Sequence, residues 1–562
     1  MAIVTASTKQ PTGIRHWAVT ACVLLVLLVT GCRKLEQRAD LIIMNGAEPE
    51  SLDPAIVTGQ PDGRVAGALF EGLTRFNPKN AKPIPGIAER WDISPDGQTY
   101  TFYLRTNALW STGEPITADD VVYSWRRALD PLTASDYAGQ LYYVKNGEGF
   151  NTGKTNNATG KVYTKEDVGV TALDTHTVKV DLEGPTPFFL DLCAFRTLAV
   201  VPRQSIEKHG DRWLMERPLP TSGPYNLDFW HIHDRIRIRK NPLYWDAKNI
   251  QNEIIDLLPA ESATTALNLY ETGEADIIWD KNLIPSELMD VLKGRDYVHT
   301  YDYLGTYFIR FNVTKPPFND VRVRKALALV IDKERLVNNI TKSGEKIASC
   351  LTPPGMEGYT SPDGLGRDIE LARKLLAEAG FPDGKGFPTF NYLFNTSEMH
   401  KQIAVELQAM WKKELGITME LRQVEWKVYL SDQSKMQFDT SRSSWIGDYV
   451  DPNTFLDMFM SGNGNNRTGW ANPQYDELIR QANQERDLTK RAKILHDAEV
   501  LLIREDLPIA PLFFYVGVNI FDPAKVEGVH QNLLDEHPIW NLRRKDGRST
   551  SRPSAQKLAA SP

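Results

Sequence analysis

A strand–helix–strand pattern between residues 389 and 424 constrains the fold of this chain more than any other feature. Phe390–Phe394 is an apolar run with the length of a strand, and Ile417–Val424 returns to a strand-like pattern. Between them, four apolar residues recur at helical spacing before Gly416: Ile403, Leu407, Met410 and Leu415. Two strands joined by a crossover helix pair in parallel within one sheet. The sequence therefore predicts a βαβ unit and at least one α/β domain.

Strand-like and helix-like segments alternate along the rest of the chain. Leu41–Met44 and Thr99–Leu104 have strand patterns. Helical patterns cover four segments: Ala118–Leu129, Val321–Ile340, Asp368–Ala379 and Leu488–Arg504. A chain of 562 residues is too long for one small core, and its length suggests several domains. We predict an α/β protein with mixed sheets.

The first 31 residues have the composition of an export signal. Lys9 and Arg15, with no acidic residue, precede the apolar run Ala18–Thr30. That run is shorter than the about 20 apolar residues that a membrane-spanning helix needs. Val29–Cys32 also resembles the bacterial lipobox, in which the cysteine is acylated and becomes the mature N-terminus. We expect residues 1–31 to be a signal peptide and Cys32 to be lipidated. The alternatives are an ordinary signal peptide or an uncleaved anchor.

The charge of the chain argues against nucleic-acid binding. The formal net charge is −7, and removal of the two positive charges of the signal shifts it to about −9. Binding to phosphates needs a concentrated basic face. Basic residues cluster only at the C-terminus, among Ser, Pro and Ala: Arg543, Arg544, Lys545, Arg548, Arg552 and Lys557. This cluster is typical of a disordered tail, which we place at residues 546–562.

Cysteine usage leaves two alternatives open. Cys22 and Cys32 belong to the N-terminal segment, so Cys193 and Cys350 remain. An exported protein could join them in a disulfide. Two buried free thiols are favoured, because their spacing matches no disulfide framework, and the absence of a CxxC motif excludes a zinc ribbon.

Motifs of the common enzyme classes are absent from the sequence. There is no HExxH, no GxSxG and no phosphate-binding loop. Ser343 and Lys346 have the spacing of the nucleophile and base in some acyl-transfer enzymes, but Gly344 favours a loop where that chemistry needs a helical turn. We predict no catalytic residue, no cofactor and no metal site. An exported peptidase is the alternative from another functional class.

Seven blocks of sequence occur in a recognisable order: Leu69–Leu73, Ala88–Trp91, Ser94–Gly97, Trp110–Trp125, Thr221–Tyr225, Lys240–Trp245 and Phe318–Leu327. These blocks resemble, in the same order, the peptide-binding receptors of ABC importers, the bacterial solute-binding proteins of family 5. Glu425–Lys427 and Trp445–Tyr449 resemble the oligopeptide-binding proteins most. The resemblance covers nearly the whole mature chain. It implies a lipid-anchored, monomeric receptor on the periplasmic or cell-surface side of a bacterial membrane. Such a receptor captures short peptides for the membrane subunits of an ABC importer, with a dipeptide or murein-peptide receptor as the alternative.

The resemblance also implies a fold and a division into domains. The fold is the bilobal type II fold of periplasmic binding proteins, in which two lobes close over the ligand at a hinge, with an extra domain. Lobe I would combine residues 33–70, 197–305 and 516–545. The extra domain II would span 71–196 and the opposing lobe III 306–515.

Ten residues match peptide-contacting positions of the family: Thr58, Gln60, Asn395, His400, Trp426, Arg442, Ser444, Trp445, Ile446 and Asp448. By the resemblance, Asp448 pairs with the peptide α-ammonium, and a buried amine does need a charge partner. Arg442 would meet the C-terminal carboxylate of shorter peptides through its planar fork. His400 would meet that of longer ones.

The remaining matches concern the walls of the site. Asn395 and Trp426 match pocket walls, and Ser444–Ile446 and Thr58–Gln60 match the strands that hydrogen-bond the peptide main chain.

The chain also departs from the family pattern near these positions. Gln433, with Lys435 nearby, stands where the family has a second carboxylate-facing arginine. Ile446 stands where the oligopeptide-binding proteins that this chain resembles have a disulfide-bonded cysteine. Lys342 is the candidate for a lysine that serves longer peptides.

Overall fold

The computed structural model describes residues 36–356 and 358–546, together with Ala2. The predicted signal peptide, the lipobox residue Cys32 and the predicted tail beyond Asp546 lie outside the described residues. All elements below belong to the unit Asp40–Gly547. None of the helices in the described ranges is long and apolar enough to cross a membrane.

Short and long strands alternate with helices along the described chain. The strands are β1 (Leu41–Gly46), β2 (Thr74–Phe76), β3 (Pro83–Pro85), β4 (Ala88–Ile93), β5 (Thr99–Leu104), β6 (Val170–Asp174), β7 (Thr177–Asp181), β8 (Tyr225–His231), β9 (Arg235–Lys240), β10 (Ile254–Pro259), β11 (Ile277–Ile278), β12 (Val298–Phe311), β13 (Lys346–Ile347), β14 (Phe390–Asn395), β15 (Met419–Val424), β16 (Thr440–Ile446), β17 (Ile509–Phe521), β18 (Val526–Glu527) and β19 (Arg543–Arg544).

The helices are α1 (Gln60–Leu69), α2 (Ala118–Leu129), α3 (Gly147–Asn151), α4 (Phe189–Leu192), α5 (Arg203–His209), α6 (Ala263–Glu271), α7 (Met289–Leu292), α8 (Val321–Leu329), α9 (Lys333–Leu336), α10 (Ile369–Glu378), α11 (Glu398–Leu415), α12 (Trp426–Ser434), α13 (Asn453–Leu456), α14 (Pro473–Gln484) and α15 (Leu488–Val500). π-helical turns at Val337–Thr341 and Leu501–Glu505 extend α9 and α15.

One large mixed sheet carries most of these strands. Its order is β15-β14-β16-β12-β17-β11-β1-β10-β9-β8, and β13 also pairs with β17. β14 is parallel to β15 and to β16, whereas the long strands β12 and β17 pair antiparallel. The unit β14–α11–β15 is the predicted βαβ unit, which is thus confirmed. A second sheet, of order β4-β5-β7-β6, is entirely antiparallel.

Capping side chains explain where the predicted helices begin and end. The side chains of Asp368 and Ser397 accept hydrogen bonds from backbone N–H groups in the first turns of α10 and α11. Gly416 ends α11 in the left-handed region, at φ 71°. The single helix predicted over Val321–Ile340 is wrong. It breaks after α8, because the Asp332 side chain accepts a hydrogen bond from Arg335 N and starts α9 as a separate helix.

The predicted C-terminal cluster is partly ordered. Arg543 and Arg544 form β19, which pairs with β18, and Arg544 makes an ion pair with Asp276. These two residues therefore belong to the folded body and not to a disordered tail.

The buried apolar residues fall into separate clusters along the chain. One cluster, packed on the four-stranded sheet, comes mainly from residues 55–200. Another comes from residues 303–515 and surrounds α11, and a third joins residues 41–279 with residues 521–542. This grouping resembles the predicted division into lobe I, domain II and lobe III, whose boundaries stay a prediction.

Candidate functional site

A cavity lies where several distant parts of the chain meet, with about 1230 Å³ of empty space, its opening to solvent included. Its lining combines residues 46–64 and 279–283 of the predicted lobe I with residues 395–467 of the predicted lobe III. Nine of the ten predicted site residues line it: Thr58, Gln60, Asn395, Trp426, Arg442, Ser444, Trp445, Ile446 and Asp448.

His400 is the predicted site residue that does not line this cavity. Its side chain is 0% exposed, and neither ring nitrogen has a hydrogen-bond partner in the described part of the chain. Burial, together with the nearby cations of Arg442 and Lys281, lowers the pKa of His400 well below its usual value. In this arrangement His400 is a neutral residue of the core beside Tyr307, with ring centroids 5.6 Å apart.

Strand β16 is fully paired with only one of its two neighbouring strands. On one side, β12 pairs with β16 along its whole length, from Thr440 to Ile446. On the other side, pairing with β14 stops after Ser441. From Arg442 to Ile446, this side has no strand partner within residues 36–356 and 358–546, although Arg442 O accepts hydrogen bonds from the side chains of Tyr429 and Gln433 at 3.0 and 2.9 Å.

Arg442 projects from β16 and has only neutral partners. Its Nε and Nη2 donate to Asn395 Oδ1 at 2.9 and 2.7 Å, and its Nη1 donates to Ser444 Oγ at 3.1 Å. The guanidinium lies 4.9 Å from the centroid of the Tyr429 ring. No described carboxylate forms an ion pair with it. Arg442 is thus a buried, oriented cation without a counter-ion.

Asp448 follows the end of β16 and is only 8% exposed. Its Oδ2 accepts a hydrogen bond from Gln140 Nε2 at 3.0 Å, and its backbone N–H donates to Thr454 Oγ1 at 2.9 Å. Burial raises the pKa of Asp448 to about 8, against the opposing effect of Arg196. Near neutral pH its carboxyl group therefore holds a proton, and a cation placed beside it would restore its negative charge.

The loop that carries Asp448 is supported by a buried polar cluster. Tyr449 stacks on Phe188 with ring centroids 4.3 Å apart. Asp451 accepts two hydrogen bonds of 2.8 Å from Arg491. Tyr143 donates to Asp457 at 2.7 Å. These contacts fix the segment that follows Asp448 against neighbouring parts of the fold.

Thr58–Gln60 does not form a strand, although it lines the cavity. Gly59 is extended, with φ −87° and ψ 153°, but Gln60 already begins α1. Pro61 favours this start, because proline is well tolerated in the first turn of a helix. The predicted strand at these residues is therefore wrong.

The structure shows what the residues that depart from the family pattern contact. Gln433 lines the cavity and donates to Ser441 Oγ at 2.8 Å and to Arg442 O at 2.9 Å. Lys342 does not line it and pairs with Asp290 at 3.1 Å. Lys435 donates to Ser431 Oγ at 2.9 Å.

Five cations of the cavity were missed from the sequence: Arg64, Arg196, Lys281, Arg310 and Arg467. Lys281 stands in a segment without periodicity. Arg310 did leave a signal, because it interrupts an apolar stretch of β12, and arginine is rarely buried without a partner.

The structure also shows the positions of the residues considered for a peptidase and for a disulfide. Ser343 Oγ donates to Thr341 O at 3.1 Å, and Lys346 Nζ lies 3.5 Å from Asp302, so they do not form a nucleophile–base pair. Cys193 and Cys350 are buried free thiols, as favoured from the sequence.

Comparison with known proteins gives consistent matches over most of the chain. Residues 82–467 match the family model described as bacterial extracellular solute-binding proteins, family 5 Middle. The periplasmic oligopeptide-binding protein OppA of Salmonella typhimurium is 38% identical over 520 residues, which cover 91% of this chain and 93% of that protein.

Solved structures match the fold as well. The OppA of Haemophilus influenzae in complex with RPPGFSPFR has a TM-score of 0.84 at 32% identity and covers 91% of this chain and 100% of its own. The murein tripeptide-binding protein MppA of Escherichia coli has a TM-score of 0.84 at 33% identity, covering 90% of this chain and 98% of its own.

The unliganded open form of MppA has a TM-score of only 0.59, at 33% identity and covering 90% of this chain and 97% of its own. The arrangement of this chain therefore differs from that open form. The matches to the two structures above confirm the predicted bilobal type II fold with mixed sheets. By its sequence and its fold, this chain belongs to the bacterial extracellular solute-binding proteins of family 5.

Proposed function

We propose that this chain is an extracytoplasmic receptor that captures short oligopeptides in the cavity and delivers them to an ABC-type peptide importer. The unpaired edge of β16 from Arg442 to Ile446 is the observation that carries this proposal. An extended peptide can add to such an edge, and its main-chain hydrogen bonds then give affinity whatever its side chains are. Sugars and metal ions have no peptide main chain and cannot pair with a strand edge.

The charges beside this edge fit the two ends of a peptide. Asp448 lies just beyond the C-terminal end of β16 and would pair with the α-ammonium group. Arg442, six residues earlier along the chain, would bind the terminal carboxylate by a bidentate, charge-assisted contact. Opposite charges at the two ends also set the direction of the bound peptide. Trp426 and Asn395 form part of the wall between them.

Closure over the peptide would signal the loaded state to the importer. Residues of the proposed lobes I and III both line the cavity, so a ligand would join them. Hinge closure of two lobes around a ligand is a common switching motion. The similar protein MppA has an unliganded open form that fits this chain less well than its other structure does.

A receptor for murein peptides is the second candidate, because MppA, a murein tripeptide-binding protein, shares the fold at a TM-score of 0.84. A dipeptide receptor would use the same two anchors, Asp448 and Arg442, for the two ends of a shorter ligand. A peptidase is disfavoured by the partners of Ser343 and Lys346.

Ligands that co-purify with the receptor test this function. We expect mass spectrometry of material released by unfolding to find short linear peptides with free ends. Incubation of the refolded receptor with those peptides should leave them intact. Cleaved products would support the peptidase, murein peptides would support the second candidate, and the absence of any peptide would contradict the proposal.

We also propose that Cys32 anchors the receptor to the membrane by a lipid. The support is the sequence Val29–Cys32 at the end of an apolar run. The intact mass of the mature protein tests this, since a chain that starts at Cys32 and carries acyl groups is expected. A mature chain without acyl groups would contradict the anchor and leave the peptide-binding proposal untouched.

Closure without ligand should depend on pH through Asp448. The pKa of Asp448 is about 8 in the present arrangement, against about 3.9 for an exposed aspartate. If opening exposes Asp448, closure of the lobes is coupled to uptake of a proton by Asp448 at pH values between these two pKa values. Low pH therefore favours the closed form, and this stabilisation of the closed form is lost as the pH rises. Lys281, whose pKa burial lowers to about 7, acts in the opposite direction, but only above that pH.

X-ray scattering of the ligand-free receptor checks this expectation. The closed fraction should be larger at pH 5 than at pH 7, and the Asp448→Asn variant should lose the difference. A closed fraction that rises with pH, or an equal pH effect in the variant, would contradict the role of Asp448.

A further inference from the structure

The lining of the cavity carries more positive charge than a simple peptide can neutralise. Six basic residues line it: Arg64, Arg196, Lys281, Arg310, Arg442 and Arg467. Four acidic residues line it: Glu261, Asp280, Asp448 and Asp535. Two of these cations are already paired, because Arg64 contacts Asp280 at 3.4 Å and Arg467 contacts Asp136. Among the described residues, four lining cations without an ion pair thus face three acids that no arginine or lysine pairs with: Glu261, Asp448 and Asp535, whose Oδ1 lies 2.8 Å from His537 Nε2.

Arg310 is the most deeply buried of these unpaired cations. Its side chain projects from β12, is 3% exposed, and donates one hydrogen bond, from Nη2 to Asn465 O at 3.1 Å. Its Nε has no partner within the described ranges. Burial and the neighbouring guanidinium groups of Arg467 and Arg442 lower the pKa of Arg310 to about 9. A buried charge is costly unless it is paired, so Arg310 is set to receive an anion.

Lys281 adds a second cation that no acid neutralises directly. Its Nζ lies 3.1 Å from the centroid of the Tyr515 ring and 3.2 Å from Tyr303 Oη. No described carboxylate lies within ion-pair distance of it. The electron-rich rings stabilise the ammonium in part. When it is protonated, Lys281 adds to the positive potential around Arg442.

We propose that the cavity selects peptides that carry an acidic side chain, and that Arg310 binds this side-chain carboxylate. This inference rests on the proposed peptide-binding function. A zwitterionic peptide with neutral side chains brings one cation for Asp448 and one anion for Arg442. It leaves Arg310 buried and unpaired. An additional carboxylate in the cavity can accept hydrogen bonds from the guanidinium of Arg310, which donates only one hydrogen bond to the described residues.

A positional series of peptides tests this selectivity on the unaltered receptor. Each residue of tetra-alanine is replaced in turn by Glu, Gln or Lys, and the Kd of each peptide is measured by calorimetry. We expect Glu to bind about tenfold or more tightly than Gln at one position, because a charge-assisted hydrogen bond then replaces a neutral one. Lys at that position should bind more weakly than Gln.

Two failures are distinguishable in this series. If no peptide binds, tetra-alanine included, the proposed function itself is contradicted. If peptides bind but Glu and Gln have equal affinity at every position, the proposed function stands and the inference of acidic selectivity is overturned.

Variants then test whether Arg310 is the residue responsible. Arg310→Met, and Arg310→Gln as a second variant, should bring the ratio of the Gln to the Glu Kd close to one. Arg310→Lys should retain part of the preference. The matched control is Arg335→Met, which removes the same charge from an exposed arginine paired with Glu406, outside the cavity lining. The full preference in a folded Arg310 variant, or its loss in the control, would overturn the assignment.

Discussion

Replacing Asp448 by Ala is expected to weaken the binding of peptides with a free N-terminus by about 100-fold or more. Truncating one partner of a buried charge pair costs about 2–5 kcal/mol, partly because the other charge is left without a partner. Asp448 is the acidic group at this end of the unpaired β16 edge, and Gln140 is its hydrogen-bond partner there. The Kd of tri-alanine, measured by calorimetry, checks this effect.

N-acetylated tri-alanine is the matched ligand for this variant. It has no ammonium group to lose, so its already weaker affinity should change little on replacement of Asp448. Asp302→Ala serves as the control variant, because Asp302 is an exposed acid outside the cavity lining. Equal losses for the free and the acetylated peptide would remove the role assigned to Asp448.

Replacing Arg491 by Met is expected to lower the free energy of unfolding by about 3–5 kcal/mol, the usual cost of breaking a buried ion pair from one side. Arg491 donates two hydrogen bonds of 2.8 Å to Asp451, and both side chains are mostly buried. The variant leaves the Asp451 carboxylate without its cation below the cavity. Because Asp451 lies in the loop that positions Asp448, peptide affinity should fall as well.

Urea unfolding with and without peptide measures both effects. The double variant Arg491→Met with Asp451→Asn should recover part of the lost stability, since no charge is then left unpaired. Arg335→Met removes an exposed pair and should cost much less stability than Arg491→Met, because solvent screens the exposed charges. A loss for Arg491→Met no larger than that of this control would contradict the supporting role of the pair.

Local patterns predicted a large part of the fold. Thr99–Leu104 and Ala118–Leu129 have the bounds expected from their patterns. The βαβ unit was readable because α11 shows a clear apolar stripe and ends at a glycine. The break between α8 and α9 could not be predicted from the sequence, because the apolar spacing continues through it. That break depends on Asp332 capping a new helix.

The site was predictable only in part, because it is assembled from distant segments. The resemblance identified nine residues that the fold brings into one cavity. It could not show that β14 leaves β16 unpaired after Ser441. His400 matches the family position, yet its burial beside Tyr307 depends on how α11 packs. Arg310 and Lys281 lie outside the matched positions, so only the packed structure shows them as cavity cations.

A crystal structure of the receptor with tri-alanine would show directly whether peptides bind along β16. We expect an extended peptide along the β16 edge between Arg442 and Ile446. Its α-ammonium nitrogen should lie within hydrogen-bond distance of the Asp448 carboxylate, about 2.7–3.2 Å, and its carboxylate should point toward Arg442. A peptide bound in the opposite direction, or one that makes no main-chain hydrogen bond to β16, would contradict the account.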